Sequence, residues 1–199
     1  MKISDFLSPA DVMLDVRASD KSRLLQQLST EVAAKAGLDA NKVAAEIAKR
    51  EELGSTGVGN GVALPHARFP ELKTPFGLLV RLRHRMDFDA IDDDPVDIVF
   101  LLLLPEAGNA KGNALACVAR ALREAETLQL VRSADCPEAL YRAVAASNSA
   151  CCRSCAKQTS AIARCGRPIA NGIHFSVAGR GPGRPSAFAA ARRSPERLR

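Results

Sequence analysis

"VDIVFLLLLP", residues 96–105, is apolar from end to end apart from Asp97. It is too short for a typical buried helix and shows no alternation of polar with apolar positions. Such a run reads as a strand covered on both faces. A strand of that kind needs a layer above it and a layer below it, and the neighbouring sequence supplies candidates for both.

Before it, "VMLDV" (12–16) and "FGLLVRL" (76–82) are further apolar runs, the second separated from residues 96–105 by the breaker Asp92-Asp93-Asp94-Pro95. Between them lie two helical patterns. "KSRLLQQLSTEVAAKAG" follows the capping candidates Ser19 and Asp20, sets Leu24, Leu25, Leu28 and Val32 on one face, and stops at Gly37. A second helix starts at Asp39, spaces Val43 and Ile47 four apart, and stops at Gly54. "GVALPHA" reads as a strand end. After residue 105, "NALACVARALRE" and "PEALYRAVAA" read as two closing helices, with Pro137 suited to a first helical turn. The expectation is an α/β fold, a mixed sheet with helices on both faces, over residues 1–147.

After Ser147 this grammar fails. Residues 148–199 show no sustained period, are rich in Arg, Gly, Pro, Ser and Ala, and read as an irregular, disordered tail. The formal charge of +6 belongs to that tail, which holds ten Lys/Arg against one Asp/Glu; residues 1–147 hold 18 against 21. Ten basic residues could hold nucleic acid weakly, but no interleaved aromatic or reading element accompanies them, which argues against a nucleic-acid partner. Cys152, Cys155, Cys165 and His174 could be counted as metal ligands. They lack paired knuckles at regular spacing, so no metal is expected. An out-of-frame C-terminus would give the same abrupt loss of pattern. Cys151 adjoins Cys152 in the tail; the two cysteines outside it, Cys117 and Cys136, stand singly, and no secreted disulfide framework is present. No apolar run reaches the roughly 18 residues of a membrane span, and the N-terminus lacks a signal-peptide pattern, so the expected location is the cytoplasm.

Chemistry concentrates in "ELGSTGVGNGVALPHAR" (52–68), where Gly54, Gly57, Gly59 and Gly61 precede the pair Pro65-His66. Glycine-rich backbone can present successive N–H groups to an anion, and phosphate is the usual guest. Ser55 and Thr56 add hydroxyls, the backbone from Gly57 through Gly59 and Asn60 to Gly61 adds amides, and Arg50 adds a forked cation. The loop lacks the Lys-Ser/Thr ending of a Walker A motif and runs from helix into strand, unlike a dinucleotide fingerprint. A neutral imidazole beside an anion cradle is a nucleophile that can take a phosphoryl group on nitrogen, and transfer between two histidines needs no metal or cofactor. The plain alternative is that the glycines make only a turn and His66 is structural.

"KREELGSTGVGNGVALPHAR" resembles the active-site stretch of the enzyme IIA domains of the bacterial phosphotransferase system, fructose/mannitol class, and the likeness extends through "FDAIDDDPVDIVFLLLLPE" over most of residues 1–147. The resemblance implies an α/β sandwich in which His66 receives a phosphoryl group from a histidine phosphocarrier of the HPr type. Within the family the chain looks most like the nitrogen-regulatory type, which implies regulation of partner proteins according to phosphorylation state. Two departures stand out. Members often carry a second histidine after the "LLP" loop, where this chain offers Lys111 and Asn113 instead; His84 does not match that position. The tail has no counterpart. The competing readings are a sugar-specific IIA that hands its phosphoryl group to a IIB component, and a non-catalytic binding module whose basic tail holds nucleic acid.

Overall fold

The computed structural model describes residues 1–106 and 110–146. The tail, with Cys152, Cys155, Cys165 and His174, lies outside the described residues. Six strands form one mixed sheet: β1 (Val12–Val16), β2 (Gly57–Gly59), β3 (Val62–Ala63), β4 (His66–Phe69), β5 (Phe76–Met86) and β6 (Val96–Pro105). Their order is β1-β5-β6-β3-β2, and β4 also pairs with β6. β6 is the hub, antiparallel to β5 and parallel to both β3 and β4.

The continuous apolar run works as its composition demands. Ile98, Phe100, Leu102 and Leu104 point into one core, while Val99, Leu101 and Leu103 point into the other. The first core packs beneath α3 (Ala110–Ala121), α4 (Ala125–Ser133) and α5 (Pro137–Ala146). The second packs beneath α1 (Lys21–Ala36) and α2 (Ala40–Glu52). Burying one such Leu or Phe side chain stabilises the fold by roughly 1.5 to 3 kcal/mol, so β6 alone accounts for much of the drive to form three layers.

Both early helices begin where their caps stand, and α1 also ends at one, whereas α2 stops at Glu52, two residues before Gly54. Asp20 accepts from the Arg23 amide at 2.8 Å, and Gly37 closes α1 in the left-handed conformation at φ 69°. Asp39 caps α2 through the Lys42 amide at 2.8 Å. Elsewhere the structure corrects the sequence reading. Among the described residues three helices follow β6 rather than two, since α4 forms over "AETLQLVRS". Its N-cap, Glu124, makes no side-chain capping bond, and its last carbonyls are satisfied from β5: Arg81 Nη1 donates to Val131, Arg132 and Ala134. A helix capped by a residue fifty positions earlier carries little local signal. β5 also runs to Met86, held there by pairing with Val96, although Arg83, His84 and Arg85 are exposed and interrupt the apolar pattern.

Candidate phosphoryl-acceptor site

The glycine stretch is a short hairpin followed by a broken strand. Asn60 and Gly61 connect β2 to β3 with φ 57° and 74°, both left-handed, as a two-residue primed turn requires. Gly57 has a different need: a Cβ there would stand 2.7 Å from the Cα and the Cβ of Ala90. β3 and β4 lie along the same edge of β6 but are interrupted at Leu64-Pro65, where the Pro65 carbonyl takes the Leu102 amide at 2.9 Å. The interruption sets His66 at the start of β4, half-buried and in register with Leu102.

The imidazole is oriented from both sides. Its Nδ1 lies 2.9 Å from the Leu64 carbonyl, which can only accept, so Nδ1 carries the hydrogen and Nε2 the lone pair. Arg50, in the last turn of α2, donates from Nε to His66 Nε2 at 3.3 Å and from Nη1 to the Gly54 carbonyl at 3.0 Å. The guanidinium thus bridges the helix end, the loop and Nε2 of His66.

The loop between them is tied down by residues that sequence reasoning missed. Glu51 accepts from the Thr56 amide at 2.9 Å and from the Thr56 hydroxyl at 2.7 Å. Its carboxylate pairs in turn with Lys21 Nζ at 2.9 Å, in a setting where Glu51 is only 10% exposed. Lys21 also reaches the Phe88 carbonyl and Asp89, each at 2.9 Å, and sits 4.7 Å above the Phe88 ring. Burial pushes the Lys21 ammonium down, but the hydrogen bonds and charges of Glu51 and Asp89 outweigh it and leave the group above its ordinary 10.5. The one available sequence signal was a carboxylate beside Arg50 and five residues before Thr56; the lysine, thirty residues earlier, gave none.

The expected anion cradle is therefore partly spoken for. Ser55 donates its hydroxyl to the Phe88 carbonyl at 2.7 Å and accepts from the Gly57 amide at 3.1 Å. Thr56 is buried on Glu51. The Asn60 amide donates to Asp92 at 2.7 Å, an acidic partner rather than a phosphate. That bond is the main cause holding the Asp92 carboxyl below its ordinary 3.8. Gly59 and Gly61 belong to the same turn, where a Cβ would meet Asp92 at 2.9 Å and Arg132 at 2.8 Å respectively. Lys111 stands in the first turn of α3, and Asn113, two residues on, is exposed. His84 is exposed on β5. Among the described residues no helix is long and apolar enough to cross a membrane.

Residues 5–147 match the family described as phosphoenolpyruvate-dependent sugar phosphotransferase system, EIIA 2, and the chain belongs to that family. A nitrogen regulatory protein of Bradyrhizobium diazoefficiens is 38% identical over 146 residues, which cover 73% of this chain and 95% of that relative. The crystal structure of the nitrogen regulatory protein IIA-Ntr from Neisseria meningitidis superposes with a TM-score of 0.66 at 30% identity, over 71% of this chain and 98% of that one. The mannitol enzyme IIA of Escherichia coli, solved in complex with phosphorylated enzyme IIB, shares the fold alone, at 15% identity and a TM-score of 0.60 over 70% of this chain and 97% of its own. The mixed sheet between two helical layers is thus the fold of the family, and the chain is an enzyme IIA similar to nitrogen regulatory proteins.

Proposed function

We propose that His66 accepts a phosphoryl group on Nε2 from a phosphohistidine carrier of the HPr type, and that the phosphorylated protein acts in the cytoplasm as a regulatory signal to partner proteins. The observation that carries the reading is the double hold on the ring: Leu64 keeps the proton on Nδ1, and Arg50 approaches the lone pair on Nε2. In the transfer, the Nε2 lone pair forms the new N–P bond while the donor's N–P bond breaks and its electron pair returns to the donor imidazole. The proton stays on Nδ1, donated to the Leu64 carbonyl, so no base is needed. Arg50 shifts from the lone pair to a phosphoryl oxygen, exchanging a weak contact for a charge-assisted one. Ser55, Thr56 and the Gly57–Gly61 backbone hold the rim of the site, and Lys111 and Asn113 stand in the region where relatives often carry a second histidine.

The regulatory role rests on the 38% identity to a nitrogen regulatory protein and the 30% identity to IIA-Ntr, against 15% for the mannitol IIA. A stored phosphate adds charge to the surface that a partner reads.

Incubation with a phosphorylated HPr-type carrier is expected to add one acid-labile phosphate, with the nitrogen resonances placing it on Nε2 of His66. His66→Ala should abolish labelling with the fold intact, and Arg50→Ala should slow transfer by about 10- to 150-fold, the loss of one charged hydrogen bond. Labelling of His84 or of Nδ1 refutes the assignment. Rapid onward transfer to a fructose or mannitol IIB domain would instead establish the sugar-transport role.

A further inference from the structure

β5 carries Arg81 within the apolar stretch that anchors it and Arg83 and Arg85 beyond it, where the register with β6 is irregular, and all three line one cavity. Arg132 approaches them from the last turn of α4. With Asp15 and Asp97 these four arginines line a surface cavity of about 310 Å³. Four guanidinium groups face two carboxylates, so the lining carries a net charge of +2.

Both carboxylates are already engaged. Asp97 takes Arg132 through two bonds of 2.9 Å and Arg85 at 3.1 Å, and Asp15 takes Arg81 at 3.2 Å. Arg81 is further committed to the carbonyls that end α4. Among the described residues, the Arg83 side chain has no hydrogen-bond or ion-pair partner. A planar, permanently charged fork without a protein partner, beside three other guanidinium groups in one cavity, leaves donors open to an added anion.

We propose that this cavity binds a small dianionic phosphate, as free orthophosphate or as a phosphate monoester. Arg83 supplies a whole fork, and Arg85, which spends one N–H group on Asp97, supplies further donors; planar guanidinium groups suit phosphate oxygens in pairs. The cavity is also wired to the glycine hairpin. Arg132 Nη2 donates to the Asn60 carbonyl at 2.6 Å, and the Asp97 amide donates to the Gly61 carbonyl at 2.9 Å. An anion that draws Arg132 or Arg85 away from Asp97 is felt at the turn that leads through β3 towards His66.

The test is a titration of the full chain at constant ionic strength with orthophosphate and, separately, with glycerol 3-phosphate, followed by backbone amide resonances. Saturable shifts with one common midpoint are expected at Gly61, Arg83 and Arg132, and the tighter of the two probes identifies the source. Replacing Arg83 and Arg85 together by Ala should weaken binding at least about tenfold, whereas replacing the exposed Arg120 and Arg123, with the same loss of charge, should leave it unchanged. Equal weakening by both double variants, shifts that never saturate, or shifts confined to residues 148–199 would overturn the assignment. Binding should survive in His66→Ala, which separates this test from that of phosphoryl acceptance; its loss there would move the anion to the imidazole.

Discussion

The two ends of the glycine loop use the same kind of backbone for opposite ends. At the near end, Ser55 and Thr56 are fastened to α1, α2 and the Phe88 carbonyl through Glu51 and Lys21, and the result is a fixed distance between Arg50 and His66. At the far end, Asn60 and Gly61 are fastened to Asp92, Arg132 and Asp97, and the result is a turn tied to the opposite helical layer. Glycines that look alike in the sequence therefore serve different masters. Position in a glycine run says that the backbone is unusual; the partners decide what it is for.

Cutting the near end should show the largest effect. Glu51→Ala removes two hydrogen bonds to Thr56 and leaves the half-buried Lys21 with Asp89 and Phe88 but without its less exposed carboxylate partner. Stability is expected to fall by about 2 to 4 kcal/mol in urea denaturation, with phosphoryl acceptance slowed as Arg50 loses its fixed setting. Unchanged acceptance in the folded variant would mean that the Glu51 clamp does not position the site.

The far end should give less. Gly61→Ala forces a left-handed φ of 74° on a residue with a Cβ and presses it to 2.8 Å from the Arg132 guanidinium. A loss of about 1 to 2 kcal/mol is expected from the backbone alone, with the rate of phosphoryl acceptance retained. A fall in that rate matching the Glu51 variant would show that the two ends act as one unit.

The smallest effect is a difference in pH range. Lys21 is raised above 10.5, so its contribution is complete below that value and is lost as pH rises through the folded value. Asp92 is lowered below 3.8, so its contribution holds above that value and is lost as pH falls through the folded one. Amide exchange should therefore loosen Asn60 first in acid and Thr56 first in strong alkali. Loosening of both at the same extreme would erase the distinction.

Much of this architecture was legible residue by residue. Asp20, Gly37 and Asp39 mark helix ends through bonds to neighbours three or four positions away, and the unbroken apolar run of β6 demands cover on both faces. The hairpin at Asn60-Gly61 went unread inside what the sequence offered as an anion loop, although few other pairs accept two left-handed residues in succession. That Arg50 and His66 come together follows from one short stretch of sequence. By contrast, α4, the arginine row on β5 and the Lys21–Glu51–Thr56 clamp were not legible, since each takes its meaning from a partner across the fold.

The amino-acid sequence by itself determined most of the elements and the cover that β6 requires on both faces, and it set His66 behind a glycine-rich loop, because periodicity, caps and turn residues act over a few bonds. Only the tertiary structure decided which nitrogen of His66 holds the lone pair, which of the loop's donors were already taken, and that Arg132 would reach Asn60 across 72 residues. Those outcomes depend on where strands pair and helices pack, and a hydrogen bond of 3 Å carries no trace in sequence of the chain length it spans.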